Sequence, residues 1–306
     1  MNKAKKIAIK LIESSLMIIK KVQRLFWKVT DIYYVKFFKP PVVKSVDETI
    51  DVIISKKVSV SRYGDGEMKL MNNKDISFQE ASAFVRDKLI ETLSSDEEGH
   101  IVCVCDVFGE KINSVNVDFW REMLYRYRRI MYKHMIPGKT YYHAGITRQY
   151  LGKKTQEESI NWINKMKKIW DGRGVLLIEG AYSRVGVGND LLDNAKSVKR
   201  ILGPEREAFS KYNEIIEKAM EFDRDTLILL ALGPCATAMA YDLHKLGFQA
   251  VDIGHIDIEY EWTLAGSQGK DKIKNKYCNE SGVAITEEEK NYTDETYEAQ
   301  IIAKIY

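Results

Sequence analysis

Beyond residue 45 the chain alternates two kinds of apolar pattern. Lys57 to Arg62, Ile101 to Val107, Val175 to Glu179, Thr226 to Leu232 and Gln249 to Ile253 are short apolar runs with the length of strands buried on both faces. Val117 to Met135, a segment from about Asp190, and Cys235 to Lys245 carry the wider spacing of helices. Strand and helix in alternation predict an α/β fold: a mostly parallel sheet with helices on both faces. Ligands of such sheets sit beyond the C-terminal ends of the strands. The strand ends are therefore where the chemistry is to be sought.

Residues 1 to 44 follow another pattern. From Ala4 to Phe38, apolar positions such as Leu11, Ile18, Val22, Leu25 and Val29 recur among lysines, predicting one or two amphipathic helices that end before Pro40-Pro41. No apolar stretch is long enough for a transmembrane helix. Lys20, Lys21 and Arg24 interrupt the most apolar part and no small-residue cleavage site follows, which argues against a secretory signal peptide. Two fates remain open for this stripe: an anionic membrane surface, or packing on the body or a second copy. The main domain is expected over residues 45–285, with 286–306 as a tail.

Composition sharpens this division. The net charge of +3 hides a segment, residues 1 to 45, with ten lysines and one arginine against Glu13 and Asp31. That segment carries +9, leaving the body at −6. An acidic body argues against a nucleic-acid partner, whose enzymes spread basic charge over the fold. Cys103, Cys105, Cys235 and Cys278 show no metal-binding or disulfide spacing and are read as reduced structural thiols.

Three strand ends carry candidate chemistry. In Arg62-Tyr63-Gly64-Asp65-Gly66-Glu67, two carboxylates flank a glycine in a turn suited to Mg²⁺ or Mn²⁺, ions typically bound by one or two carboxylates plus substrate phosphates. Arg62 adds a phosphate contact, and Gly64 a tight backbone; an ordinary acidic turn is the plain alternative. Gly186-Val187-Gly188-Asn189-Asp190 follows the Val175 to Glu179 run, with Glu179 and Arg184 upstream and Arg200 beyond, and reads as a partial phosphate loop leading into a helix. Gly233-Pro234-Cys235-Ala236 opens a helix with small residues, allowing a ligand near its free N–H groups, or simply tight packing. Further on, His255, Asp257, Glu259 and Glu261 alternate with apolar residues, as one face of an extended chain. That row supplies proton-transfer candidates: Asp257 first, then Glu259 and His255.

Taken in order, these motifs resemble a bacterial glycosyltransferase family of the GT-D fold, first catalogued as a domain of unknown function. The resemblance rests on Arg62 to Glu67, Thr147-Arg148-Gln149-Tyr150, Glu179 to Ile201, Leu232 to Thr237 and Gly254 to Trp262, across about residues 46 to 265. Gln149, Gly203 and Glu207 depart from its proline, cysteine and asparagine. It implies a Rossmann-like body, Mn²⁺ or Mg²⁺ held by Asp65 and Glu67, and a UDP-sugar donor whose glucose or other hexose passes to a glycan, glycoprotein or glycolipid acceptor. The expected setting is cytoplasmic, with membrane contact through residues 1–40 or self-association as open partners. Rival readings are a non-catalytic scaffold of a glycan-assembly complex and another nucleotide-dependent α/β transferase.

Overall fold

The computed structural model describes residues 3–38, 40–108, 117–149, 155–267 and 269–306. Tyr150 of the second motif lies outside the described residues. A single helix, α1 (Lys3–Phe38), comes first. It is followed by β1 (Val42–Val43), α2 (Val46–Lys56), β2 (Ser59–Arg62), α3 (Asp65–Met71), α4 (Ala83–Leu93), β3 (His100–Val104), α5 (Val117–His134) and β4 (Thr140–His143). The second half runs α6 (Gln156–Lys167), β5 (Gly174–Gly180), β6 (Ser197–Gly203), α7 (Tyr212–Ala219), β7 (Leu227–Ala231), α8 (Pro234–Lys245), β8 (Gln249–Asp252) and α9 (Ile256–Ala265). Two short helices, α10 (Glu287–Lys290) and α11 (Glu295–Gln300), precede β9 (Ile301–Lys304).

All pairings among these strands are parallel, in the order β1-β4-β3-β2-β8-β7-β5-β6-β9. Period-two alternation divides each strand between two cores. Leu176, Ile178, Ile228 and Leu230 point into one, with Leu70, Leu89, Met131, Ile215 and Met239 from α3, α4, α5, α7 and α8. Val175, Leu177, Leu227 and Leu229 point into the other, with Ile53, Ile163 and Ile256 from α2, α6 and α9. Both faces are covered, as the unbroken apolar runs require.

The domain edges expected near residues 45 and 285 are crossed by the sheet. Val42 and Val43 pair with Thr140 and Tyr141 at one edge. At the other, β9 pairs with β6, so the segment read as a tail supplies a strand.

Two elements differ from the sequence reading. The segment from Asp190 is a series of turns followed by β6, not a helix. Its short polar side chains bond the local backbone instead, as Asn189 Oδ1 does by accepting from the Leu191 N–H at 3.0 Å. Gly186 and Gly188 therefore open no helix, and Arg200 lies on a strand. The row from His255 to Trp262 is α9 rather than extended chain. This helix buries Ile256, Asp257, Ile258, Glu259, Tyr260 and Trp262, so no one-sided stripe marks it and the alternation imitates a strand.

The position of the site follows from the topology. The chain leaves β2 toward β3, and leaves its neighbour β8 toward the far half of the sheet that ends at β9. Diverging connections open a crevice at the C-terminal ends of these two strands.

Candidate active site

Arg62, the last residue of β2, closes the floor of this crevice. Its Nε donates to the Asp252 carbonyl at 2.9 Å and its Nη2 to Asp252 Oδ1 at 3.0 Å. Nη1 donates to the Ala144 carbonyl and the Thr147 hydroxyl. Burial raises the Asp252 carboxyl above its ordinary range, and Arg62 opposes that shift. Gly254 makes the clamp fit: its φ is +47°, and a Cβ there would collide with the Arg62 guanidinium.

The predicted metal pair stands above this floor, on the first turn of α3. Asp65 is half-exposed and receives Lys69 Nζ at 2.5 Å, an i,i+4 pair. Glu67 turns inward: its Oε2 accepts the Gly64 N–H at 2.7 Å, and its Oε1 lies 3.5 Å from the Thr237 hydroxyl. That hydroxyl is also 3.4 Å from Asp252 Oδ2. Burial pushes the Glu67 carboxyl up to about 7, and the charges of Asp252 and Asp65 reinforce the shift. Two residues apart on a helix, Asp65 and Glu67 face different sides. The first turn of α3 abuts that of α8, since a Cβ on Gly66 would stand 3.7 Å from Pro234 Cγ. Gly233 enters α8 at φ +56°, where a Cβ would strike the Phe78 ring at 2.9 Å. Ala236 is buried one turn inside α8. Two positive helix ends thus meet beside an acidic notch.

A second cluster lies at the start of α9. Glu259 is fully buried, with Arg148 Nη1 3.3 Å from its Oε1. Arg148 also pairs with Glu280 at 2.6 Å and comes within 3.5 Å of His255 Nδ1. The other ring nitrogen of His255 meets Asn279 Oδ1 at 3.0 Å. Burial, with Arg148 adding to it, lowers His255 to about 4, so its ring is neutral. Gln149, at the family's proline position, donates to the Ile256 carbonyl at 2.9 Å.

The remaining predicted residues form a separate network under β5. Glu179 takes Arg200 Nη1 at 2.7 Å and the Val185 N–H at 2.8 Å. Arg184 donates to the carbonyls of Asn275, Glu289, Lys290 and Tyr292, binding the C-terminal segment to the body. Asn189 Nδ2 bridges Asp257 and Glu261, while Asp190 accepts from Tyr260 and pairs with Lys167. Both oxygens of Asp257 are engaged: Oδ1 by the Gly186 N–H and Asn189, Oδ2 by Lys276 at 2.7 Å. Gly188 lies on this loop at φ +80° with open space around it. The structure therefore gathers Arg62, Gly64, Asp65, Glu67, Gly233, Pro234, Ala236, Glu259 and His255 about the crevice. It directs Glu179, Arg184, Asn189, Asp190, Arg200 and Asp257 into internal bonds.

Sequence reasoning missed Asp252, Lys276, Asn279 and Glu280. Asp252 was detectable as the acidic residue inside the Gln249 to Ile253 run. The other three lie beyond the matched motifs, and only the tertiary fold brings them to α9. Glu207 occupies the left-handed region at φ 55°, where the family's asparagine sits more easily. Its carboxylate accepts from the Glu80 N–H and Gln79 Nε2.

Glycosyltransferase GlyD of Streptococcus pneumoniae serotype 4 is 34% identical over 266 residues, covering 86% of this chain and 32% of its own length. The probable glycosyl transferase Gly of Streptococcus gordonii is 36% identical over 266 residues, 86% of this chain and 39% of its own. The chain thus spans about a third of the length of these curated relatives. A solved structure of the highly conserved domain of unknown function 1792, described as a distinct glycosyltransferase fold, superposes with a TM-score of 0.80 at 31% identity, over 90% of this chain and all of that one. A glycosyltransferase of the same domain type from Streptococcus sanguinis gives 0.77 at 34%, over 87% of this chain and all of that one. The model of the glycosyltransferase GT-D fold matches residues 60–281, from β2 to the Glu280 that pairs with Arg148, and on that match the chain belongs to the GT-D glycosyltransferase family.

Proposed function

We propose that this chain transfers a hexosyl group, glucose or another hexose, from a UDP-sugar to a hydroxyl of a glycan acceptor, with a divalent cation. The observation that carries this reading is the acidic notch at the β2–β8 crevice, where Glu67 and Asp252 approach one hydroxyl beside two helix N-termini. Its donors are all oxygens, the chemistry of a hard cation such as Mn²⁺ or Mg²⁺. Among the described residues no group of three or more His, Cys, Asp or Glu side chains is arranged to hold an ion alone. We take Glu67 in the notch and Asp65 on the open side of the same helical turn as the carboxylates of the site, with the donor's phosphates completing the shell. A cation so held supplies charge neutralisation for the departing UDP.

The chain's own groups do the rest. N–H groups at the starts of α3 and α8 donate to phosphate oxygens. Arg62 holds the ends of β2 and β8 at a fixed separation and so positions the notch. Asp257 and Glu259, buried and ion-paired, position α9. Of the three proton-transfer candidates His255 alone is partly exposed, and we assign it to the acceptor side of the crevice, where Asn279 and Arg148 hold its ring.

Calorimetric titration of UDP with and without Mn²⁺ tests the reading. The cation should tighten UDP binding by about tenfold or more. Binding indifferent to Mn²⁺ contradicts the metal-assisted site, and no UDP binding under either condition favours a scaffold.

A further inference from the structure

Helix α1 presents two seams with the same spacing and opposite surroundings. Gln23, Trp27, Thr30 and Tyr34 recur at intervals of four, three and four, and are the positions of the helix turned toward the body. Trp27 is buried against Tyr125 of α5, and Tyr34 stacks on Tyr132 with Arg128 over its ring at 4.6 Å. Ile18, Val22, Leu25, Val29 and Ile32 form the other seam, roughly 150° around the helix at 3.6 residues per turn. These five side chains are 58–68% exposed. Ile19, Phe26, Tyr33 and Phe37, each more than half exposed, widen the stripe on one side. A continuous apolar face of this length, directed away from the body, marks an interaction surface.

Charge selects the partner. The segment holding α1 carries +9, and Lys10, Lys21 and Lys28 are exposed along the edge of the stripe. Pairing with a second copy would set +9 against +9, whereas a bilayer containing anionic lipid offers apolar depth and opposite charge together. No helix among the described residues is long and apolar enough to cross a membrane, so α1 lies along the surface.

We infer that α1 is a surface anchor for anionic phospholipid bilayers, with the Ile18-to-Ile32 seam in the acyl boundary and its lysines among the headgroups. The inference is independent of the sugar-transfer reading, because none of these residues lies at the crevice.

Co-sedimentation of the whole chain with vesicles tests it. The lipids are phosphatidylcholine alone, or phosphatidylcholine mixed with phosphatidylglycerol. The anionic vesicles should bind about tenfold more tightly or better, and added salt should weaken that binding. The double substitution Leu25→Ser and Ile32→Ser leaves the Trp27 seam intact and should weaken binding by about tenfold or more. Its circular dichroism and UDP titration should match wild type, which separates lost docking from lost folding. Absence of binding to anionic vesicles, or equal binding by the variant, overturns the inference. So does light scattering that shows a dimer, dissociated by the variant, from a chain the vesicles do not take up.

Discussion

Buried side chains at the two ends of the parallel sheet titrate in opposite senses, and burial is the reason. His100, buried at the start of β3 between Ser61 and Ser95, is lowered to about 3, chiefly by burial. It stays neutral in the native protein and charges near 6.5 once unfolded. The unfolded chain therefore binds the extra proton between these values, so this residue's contribution is lost as pH falls through that window. Glu67, raised to about 7, has the reverse effect and erodes stability as pH rises from about 4.5. Net pH curves mix the two, but a comparison with a substitution isolates one. Relative to wild type, His100→Gln should gain about 2–3 kcal/mol in urea unfolding free energy between pH 7 and pH 4.5. A gap independent of pH would show that His100 does not titrate in that window. Residues of this kind were only partly legible in the sequence. Arg62, Asp65 and Glu67 announce themselves at a strand end, and Asp252 stands out as an acid inside an apolar run, but its partner Arg62, 190 residues away, is fixed only by the fold.

Elements were legible where burial is the same on both faces and the run is short. Thr226 to Leu232 and Val175 to Glu179 map onto β7 and β5 with little shift. The misreadings have a common origin, because periodicity reports how many sides of an element are buried, not its backbone. Helix α9 is enclosed by the sheet, α6 and the C-terminal segment, so its alternation of acid and apolar residues mimicked a strand. Its acids are tolerated there because partners arrive from distant sequence, Lys276 for Asp257 and Glu261, and Arg148 for Glu259. Removing one partner strands the others. Lys276→Met should cost about 3–5 kcal/mol in chemical denaturation by leaving the buried Asp257 carboxylate facing the partly buried Glu261 without a cation. Adding Asp257→Asn to that variant should recover part of the loss. A Lys276→Met protein as stable as wild type would contradict the network as drawn.

At the scale of the whole molecule, parallel strands and their order create the site. The crevice lies where the connections after β2 and β8 diverge, a property of strand order that no local motif encodes. The glycine-rich segment after β5 shared the look of a phosphate loop, yet its residues tie β5, through Glu179, and β6, through Arg200, to α9. The proposed binding chemistry thus gathers at one switch point, while Glu179, Arg184, Asn189 and Arg200 of the family pattern make internal bonds. The central claim is metal-assisted sugar transfer at Asp65 and Glu67. It is tested most directly by measuring UDP-sugar turnover, as hydrolysis or transfer, with and without Mn²⁺ in wild type and Asp65→Ala. The account predicts turnover that requires the cation and falls by about a hundredfold or more in Asp65→Ala, a loss of roughly 3 kcal/mol of transition-state stabilisation. Turnover without metal, or a variant as active as wild type, would contradict it.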